Sequence, residues 1–345
     1  MSALLLELNL RRNLTTRLIH TGQHQIEEMS DIFFEELNLP TPDECFQVQS
    51  TGRDDFITGL ARRLRRSFTN MRPELVLVVG DVNSTVAAAM AAFTMGIPIA
   101  HVEAGLRSFD RQMPEEINRI VTDAFSELLF VSEPSGAENL LSEGFAPSRI
   151  HFVGNTLIDT LLRFQAAAGQ SPILSQLGLG PRSYVLVTLH RPSNVDSASK
   201  LAQLMDMLGR LGELVPVIFP VHPRTMQQIR LLGISTRNLI LTRPMGYIPF
   251  LRLMSDAHLV ITDSGGIQEE TTYLKVPCYT MRENTERPIT ISMGSNTLVG
   301  VDPERVLSIV SDALLVSRRD NDIPEHWDGH AAKRIVDIIE QRFLE

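Results

Sequence analysis

The sequence predicts an α/β protein made of two domains, each with a parallel sheet covered by helices on both faces. Three observations support this fold class. The chain has 345 residues, more than a single compact core usually contains. Short apolar runs suited to fully buried strands alternate with helical patterns along the chain. The alternation restarts near residue 183, which indicates two Rossmann-like domains facing each other across a cleft.

The first half begins with a helical pattern at residues 2–13 and continues with strands. The predicted strands are residues 15–22, 74–81, 97–105, 127–133 and 149–155. An alanine-rich helix is predicted at 84–96, where Gly96 ends it. We assign residues 1–165 to an N-terminal domain. A doubly wound domain normally opens with a strand, so the first strand of this domain is expected to be missing.

The second half repeats the pattern of buried strands. These predicted strands are residues 183–191, 215–223, 238–244, 257–266 and 275–283. The segment 164–182 before them is rich in Gly, Ser, Pro and Gln, which favours a link between domains. We assign residues 175–325 to a C-terminal domain.

Composition excludes several classes of function. The net charge of −9 and the pI near 5.5 argue against a nucleic-acid or anionic-membrane surface. The apolar runs are too short to span a bilayer, and two cysteines make neither a disulfide framework nor a metal cluster. A cytoplasmic protein is therefore expected. The absence of a GK[ST] loop excludes a P-loop nucleotidase.

Three carboxylates follow predicted strands or the loop after one: Asp81, Glu103 and Glu115. Carboxylates at neighbouring strand ends repel one another, which can supply a general acid and a general base at neutral pH. Arg107 and Arg119 lie in the same stretch and would keep the other carboxylates ionised. The alternatives are that Asp81 only caps the next helix and that the stretch is a solvated loop.

A second candidate site is "TDSGGIQEE", residues 262–270. Ser264, Gly265 and Gly266 lie between a strand and a helix, where free N–H groups and the helix dipole favour an anion. Glu270 could bind ribose hydroxyls, and arginines at neighbouring strand ends favour a diphosphate. The alternative is an ordinary turn with a serine cap. The further polar residues at strand ends are Gln23, His24, His190, Arg191, His222 and Arg224.

A metal site is disfavoured by the sequence. No HExxH motif occurs, and His190 and His222 are followed by Arg191 and Arg224, which would repel a cation.

Several of these motifs together resemble the non-hydrolysing UDP-N-acetylglucosamine 2-epimerases. The resemblance runs in order from about residue 4 to the C-terminus. It rests on "HTGQH", "GDVNST", "HVEAGLRS…PEEINR", "HRPSNVD", "YIPFLRLM", "TDSGGIQEE" and "TERPITISMGSNTLVG".

The resemblance implies a GT-B architecture and inversion at C2 of UDP-GlcNAc to give UDP-ManNAc. The reaction eliminates UDP to form 2-acetamidoglucal and then adds it back, with no metal or other cofactor. The implied catalytic residues are Asp81, Glu103, Glu115 and His190. The implied substrate-binding residues are Gln23, His24, Arg107, Arg119, Arg191, His222, Arg224, Ser264, Gly265, Gly266, Glu270 and Arg287.

The resemblance also implies a homodimer, UDP-GlcNAc as an allosteric activator and a C-terminal helix, about 329–345, that packs on the first domain. Its members open with a strand and a "GTRPE"-type loop that binds the substrate phosphate, and this sequence starts after that loop. We therefore expect residues 1–345 alone to be a poor or inactive enzyme, with a misplaced start codon as the simplest explanation. The alternatives are a hydrolysing epimerase, a GT-B glycosyltransferase and an inactive UDP-sugar-binding relative.

Overall fold

The chain folds into two compact units. The computed structural model describes residues 1–22, 27–47, 52–195, 197–316 and 320–344. The N-terminal unit combines Met1–Thr160 with Glu325–Glu345, and the C-terminal unit is Leu161–Pro324. The end of the chain therefore belongs to the same unit as its beginning.

The strands of the N-terminal unit are short and parallel. Those within the described residues are β1 (Ile19–His20), β2 (Glu44–Cys45), β3 (Val76–Val79), β4 (Ile99–Val102), β5 (Leu128–Val131) and β6 (Ile150–Phe152). β3 to β6 form one sheet in that order, and β1 pairs with β2 in a separate sheet. Every residue of β4 and β5 is buried, as expected for parallel strands covered on both faces. His101, at the centre of β4, is the polar exception.

Helices pack on both faces of this sheet. In chain order they are α1 (Ser2–Asn9), α2 (Glu27–Glu36), α3 (Arg53–Met71), α4 (Asn83–Phe93), α5 (Pro114–Phe125) and α6 (Pro134–Ser142), with a 3₁₀ turn at Pro147–Arg149. The apolar face of α3, with Leu60 and Leu64, packs against the alanines of α4 and against β3. The small alanine side chains let these two helices approach closely.

The C-terminal unit contains one larger parallel sheet. Its described strands are β7 (Val185–Thr188), β8 (Val217–Pro220), β9 (Leu239–Thr242), β10 (Leu259–Thr262), β11 (Cys278–Thr280) and β12 (Asn296–Leu298). Their order is β12-β11-β10-β7-β8-β9. The chain order thus reverses direction between β7 and β10, and the loops that follow these two strands lie side by side.

The helices that follow complete the C-terminal unit and return to the N-terminal one. They are α7 (Thr156–Gly169), α8 (Ile173–Gln176), α9 (Pro192–Val195), α10 (Ala198–Leu211), α11 (Pro223–Leu231), α12 (Tyr247–Asp256), α13 (Gly265–Tyr273), α14 (Ile289–Ser292), α15 (Pro303–Ala313) and α16 (Ala331–Phe343). α10 and α15 pack on the sheet around Leu208 and Val306. α16 packs beside α1 over β4 and β5.

Several sequence predictions of secondary structure need correction. The strand predicted at 15–22 is only two residues long, and β2 and β12 were not predicted. No helix was predicted in the segment 164–182, where α7 extends to Gly169 and α8 covers Ile173–Gln176. Among the described helices, none has the length and apolar character needed to cross a membrane.

Candidate active site

Asp81 and Glu103 lie at the carboxyl ends of neighbouring strands. β3 pairs with β4, and Gly80 at the end of β3 donates its N–H to the carbonyl of Val102. A Cβ placed on Gly80 would lie 3.8 Å from Oε2 of Glu103. The Glu103 side chain therefore folds back toward the loop that carries Asp81. Glu103 itself has a left-handed backbone with φ of 69°, a conformation that costs energy for a non-glycine residue.

Helix α5 turns a polar stripe, not an apolar one, toward the interior. Glu116, Arg119 and Asp123 are at most 1% exposed and lie at helical spacing on one face. Arg119 donates from Nη2 to Oδ2 of Asp81 and from Nη1 to Oε2 of Glu116 at 2.6 Å. The predicted proximity of Arg119 to a carboxylate of the candidate site is thus present, with Asp81 as the partner.

Glu116 organises the loop before α5. Its carboxylate accepts hydrogen bonds from the N–H of Ser108 at 2.9 Å and of Phe109 at 3.0 Å. Its neighbour Glu115, the predicted acid–base residue, is partly exposed in the first turn of α5. The two adjacent glutamates therefore have different environments, since only Glu116 is fully engaged in holding the loop.

The position of Arg107 differs from the one expected. Arg107 is 3% exposed and forms ion pairs with Asp123 at 2.7 Å and Glu143 at 2.7 Å. His101 also contacts Asp123, and we call these four residues, of which only Glu143 is exposed, the ion cluster. Burial raises the pKa of Asp123, but the charges and hydrogen bonds of His101 and Arg107 outweigh it and hold that pKa below its usual value. Arg107 thus does not neutralise Glu103 or Glu115 as the sequence suggested.

In the C-terminal unit, Asp263 connects the loops after β7 and β10. This carboxylate is fully buried and accepts hydrogen bonds from the N–H of Arg191 at 2.9 Å and from Nδ2 of Asn194 at 2.9 Å. It also lies 3.1 Å from Nδ1 of His190, whose side chain is 60% exposed. Ligands of doubly wound sheets bind where the strand order reverses, which is where these loops lie.

The turn from β10 into α13 has the features of an anion site. Ser264 is the first residue before the helix, but its side chain makes no capping hydrogen bond. The alternative of a simple serine cap is therefore not supported by the geometry. A Cβ on Gly265 would lie 2.5 Å from Nη1 of Arg287, so only glycine allows this guanidinium to lie against the turn. Arg287 also pairs with Glu286 at 2.6 Å and Glu269 at 3.0 Å.

Glu270 is buried one turn into α13, where it accepts a hydrogen bond from the hydroxyl of Tyr247 at 2.7 Å. Burial raises the pKa of Glu270 to about 7, although the hydrogen bond from Tyr247 lowers it in part. The ring of Tyr247 packs edge-to-face against Phe164 of the same unit. Glu270 therefore has one carboxylate oxygen engaged by a fixed phenol.

The remaining predicted residues are more exposed or lie outside the described part. His222 precedes α11, where its Nδ1 accepts the N–H of Arg224 at 3.2 Å, and both side chains are exposed after β8. Gln23 and His24 lie outside the described residues. Within the described residues, no group of three or more His, Cys, Asp and Glu side chains is placed to hold a metal ion.

Comparison with known proteins identifies the family. The family model for UDP-N-acetylglucosamine 2-epimerase matches residues 6–340. The chain belongs to the UDP-N-acetylglucosamine 2-epimerase family. The UDP-N-acetylglucosamine 2-epimerase of Methanococcus maripaludis is 42% identical over 95% of this chain and 93% of the relative. A UDP-2,3-diacetamido-2,3-dideoxy-D-glucuronate 2-epimerase of Pseudomonas aeruginosa is 36% identical over 95% and 92% of the two chains.

Solved structures agree with this family assignment. The chain resembles the Methanocaldococcus jannaschii UDP-GlcNAc 2-epimerase in complex with UDP-GlcNAc and UDP, with a TM-score of 0.91, 37% identity and coverage of 99% and 95%. It also resembles the Neisseria meningitidis enzyme bound to UDP-GlcNAc, with a TM-score of 0.89, 28% identity and coverage of 99% and 96%. The predicted fold class, an α/β protein with two Rossmann-like domains of the GT-B type, is confirmed.

The sequence did not reveal the residues that hold the candidate groups in place. These are His101, Glu116, Asp123, Tyr247 and Asp263. One signal was available for Asp263, which directly follows the buried strand β10, much as Asp81 lies two residues after β3. A second signal was the charged stripe of α5, whose spacing of three and four residues puts all its members on one helix face. The hydrogen bond of Tyr247 has no comparable signal in the sequence.

Proposed function

We propose that the epimerase interconverts UDP-GlcNAc and UDP-ManNAc by inverting C2 of the sugar. In the proposed reaction, a carboxylate removes the C2 proton while the bond from C1 to the UDP oxygen breaks. This gives 2-acetamidoglucal and UDP. A second group then protonates C2 on the opposite face, and UDP adds back to C1. The net change is the configuration at C2, and no water is consumed in either direction.

The observation that carries the proposal is the pair of carboxylates, Asp81 and Glu103, at adjacent strand ends. Inversion needs acid–base groups on both faces of one carbon, and ionisable side chains at such positions can provide them. Arg119 holds Asp81, and Asn118 donates to the carbonyl of Asp81 at 2.8 Å. Asp81, Glu103 and Glu115 are therefore proposed as the acid–base residues.

The leaving diphosphate is assigned to the C-terminal unit. His190, Arg191 and Arg287 lie around the N-terminus of α13, which offers N–H donors and a favourable dipole. Such donors stabilise the charge that develops as the diphosphate departs. Glu270 is proposed to accept the ribose hydroxyls. The known relatives with UDP-GlcNAc and UDP bound support the choice of nucleotide sugar.

The test is turnover of UDP-GlcNAc in heavy water, followed by proton NMR and chromatography. We expect UDP-ManNAc to form and deuterium to appear at C2 of both epimers. Stoichiometric release of free ManNAc with UDP would show a hydrolysing epimerase instead. Turnover of UDP-2,3-diacetamido-2,3-dideoxy-glucuronate without turnover of UDP-GlcNAc would overturn the proposed substrate.

The site assignment is tested with the variant Glu103→Gln. We expect it to lose C2 exchange by on the order of a hundredfold or more, because an amide cannot move the proton. Binding of UDP should stay nearly unchanged. Glu138→Gln, at an exposed carboxylate on α6, is the matched control and should keep full exchange. Undiminished exchange in Glu103→Gln would remove Glu103 from the mechanism.

A further inference from the structure

His101 is fully buried in the centre of β4, where apolar residues would otherwise be expected. Both of its ring nitrogens lie close to oxygen atoms. Nδ1 is 2.7 Å from Oδ1 of Asp123, and Nε2 is 2.9 Å from the carbonyl oxygen of Gly80. One imidazole ring thus contacts helix α5 on one side and the loop that carries Asp81 on the other.

These two partners determine which ring nitrogens carry protons. A carbonyl oxygen can only accept, so Nε2 of His101 must donate to Gly80. Asp123 is ionised, since it also accepts from Arg107 and from the N–H of Gly105 at 3.2 Å, and so Nδ1 must donate as well. The geometry therefore requires an imidazolium. Its positive charge and that of Arg107 are balanced by Asp123 and Glu143 within the ion cluster.

Asp123 in turn fixes the loop that carries Glu103. Its second oxygen binds the N–H of Gly105, and the carbonyl of Gly105 accepts from Nδ2 of Asn139 at 2.9 Å. Gly105 has φ of 76°, and a Cβ there would collide with the carbonyl of Gly136. The loop is held on both sides next to Glu103, which is itself in the left-handed region. Such a conformation persists only where its surroundings hold it.

We propose that His101 is a positioning residue that fixes the loop of Asp81 relative to the loop of Glu103. This inference rests on the proposed function, in which both carboxylates act on the sugar. Buried charges of opposite sign contribute little net stability compared with apolar packing, so stability alone does not account for them. Instead, they fix the orientation of the groups that they contact. The Nε2 contact fixes the Gly80–Asp81 backbone, and the Nδ1 contact fixes Glu103 through Asp123 and Gly105.

The two contacts can be removed separately. In His101→Gln, the side-chain amide can still reach the carbonyl of Gly80 but not Asp123, and in His101→Asn the reverse holds. We expect each variant to lose kcat by on the order of tenfold to a hundredfold, since a shift of about 1 Å in a reacting group costs that much. The KM for UDP-GlcNAc and the Kd for UDP should stay within about twofold.

The chain offers a matched control in His151 on β6 of the same sheet. His151 packs against Phe130, and its Nε2 has no hydrogen-bond partner among the residues that the structure describes. His151→Gln and His151→Asn should therefore leave kcat unchanged. Misplaced loops should also fail more often at reprotonation, so the ratio of released 2-acetamidoglucal to epimerised product should rise in the His101 variants alone. Unchanged kcat and product ratio in both His101 variants would overturn the proposal.

A measurement on the wild-type protein avoids any dependence on how the variants fold. With ¹⁵N-labelled histidine, the spectrum should contain one ring at neutral pH with protons on both nitrogens and slow exchange with water. A neutral ring for His101 would overturn the inference. Absence of C2 exchange in the wild type would overturn the proposed function instead, and it would leave the ring spectrum and UDP binding unchanged.

Discussion

At the residue scale, the buried carboxyl of Glu270 has a pKa close to neutral pH. Its pKa of about 7 results from burial, and the Tyr247 hydroxyl is the contact that opposes this shift. A carboxylate accepts ribose hydroxyls in its ionised form and becomes a donor when protonated. The affinity for UDP should therefore rise as the pH increases through 7.

Removing the phenol hydroxyl should move this transition. In Tyr247→Phe, Glu270 loses the hydrogen bond that stabilises its charged form, so its pKa rises further above 7 and UDP affinity at neutral pH falls several-fold. Calorimetric titration with UDP between about pH 6 and pH 9 checks the shift. UDP itself titrates near pH 6, so Glu270→Gln serves as the control that retains only the ligand's contribution. An unshifted profile in Tyr247→Phe would contradict the role of the hydroxyl.

The sequence indicated the candidate residues at strand ends better than the residues that hold them. Asp81, Glu103 and Ser264 could be predicted because carboxyl ends of parallel strands converge on one edge of a sheet. The sequence predicted the wrong partners for Arg107, because a residue close to Glu103 in sequence need not contact it. Its side chain pairs with Asp123 and Glu143, sixteen and thirty-six residues away, and only folding brings these groups together.

At the scale of elements, one carboxylate connects two loops of the C-terminal unit. Asp263 follows β10 and holds the start of α9 through Arg191 and Asn194. Burial raises its pKa, but the hydrogen bonds and charge of His190, together with Asn194 and Arg191, lower it below the usual value. Its ionised form is thus the one that stabilises the fold, and this contribution is lost as the pH falls through the pKa.

Asp263→Asn should therefore weaken both stability and nucleotide binding. The side-chain amide of Asn keeps one acceptor oxygen, but its NH₂ group faces N–H donors that the carboxylate of Asp263 accepts from. We expect this to lower the free energy of unfolding by about 1–3 kcal/mol. The side chains of His190 and Arg191 should then no longer be held in one orientation, and the affinity for UDP should fall by about tenfold or more. Urea unfolding and UDP titration give the two quantities. Asp320→Asn is the control, because Asp320 pairs with Lys275 on the surface, where such pairs contribute at most about 1 kcal/mol.

The elements themselves were predicted unevenly. Strands such as β5, β7 and β10 are apolar except for a final threonine in β7 and β10, and this composition marks them in the sequence. β2 and β12 are only two and three residues long, and β2 includes Glu44, so neither carries an apolar run. Residues 164–182 were judged by composition, but Phe164 and Leu174 are buried and hold the helical conformation of this segment.

At the scale of the whole molecule, the C-terminal segment completes the N-terminal unit. Arg11, two residues after the end of α1, binds Asp337 at 2.7 Å and Glu340 at 3.1 Å on α16. Trp327 is 1% exposed and donates from Nε1 to the carbonyl of Ser132 at 3.0 Å. Residues more than 190 positions apart thus form one core, which makes folding of this unit depend on contacts of long sequence separation.

Gly154 provides a test of the contact between the C-terminal segment and the rest of the N-terminal unit. It has φ of 88°, and a Cβ there would collide with the carbonyl of His326, next to Trp327. Gly144 has φ of 89° with nothing near its Cβ position, so Gly144→Ala reports the backbone strain alone, about 1–2 kcal/mol. Gly154→Ala should lose on the order of 2 kcal/mol more, because the collision displaces the segment.

Trp327 reports the outcome directly, since the chain has one tryptophan. Urea unfolding followed by its fluorescence should show a lower midpoint for Gly154→Ala than for Gly144→Ala, and native emission shifted to the red only in Gly154→Ala. The shift follows from water reaching an indole that is buried in the wild type. Equal midpoints and equal emission for the two variants would mean that the C-terminal segment does not need its close approach to Gly154.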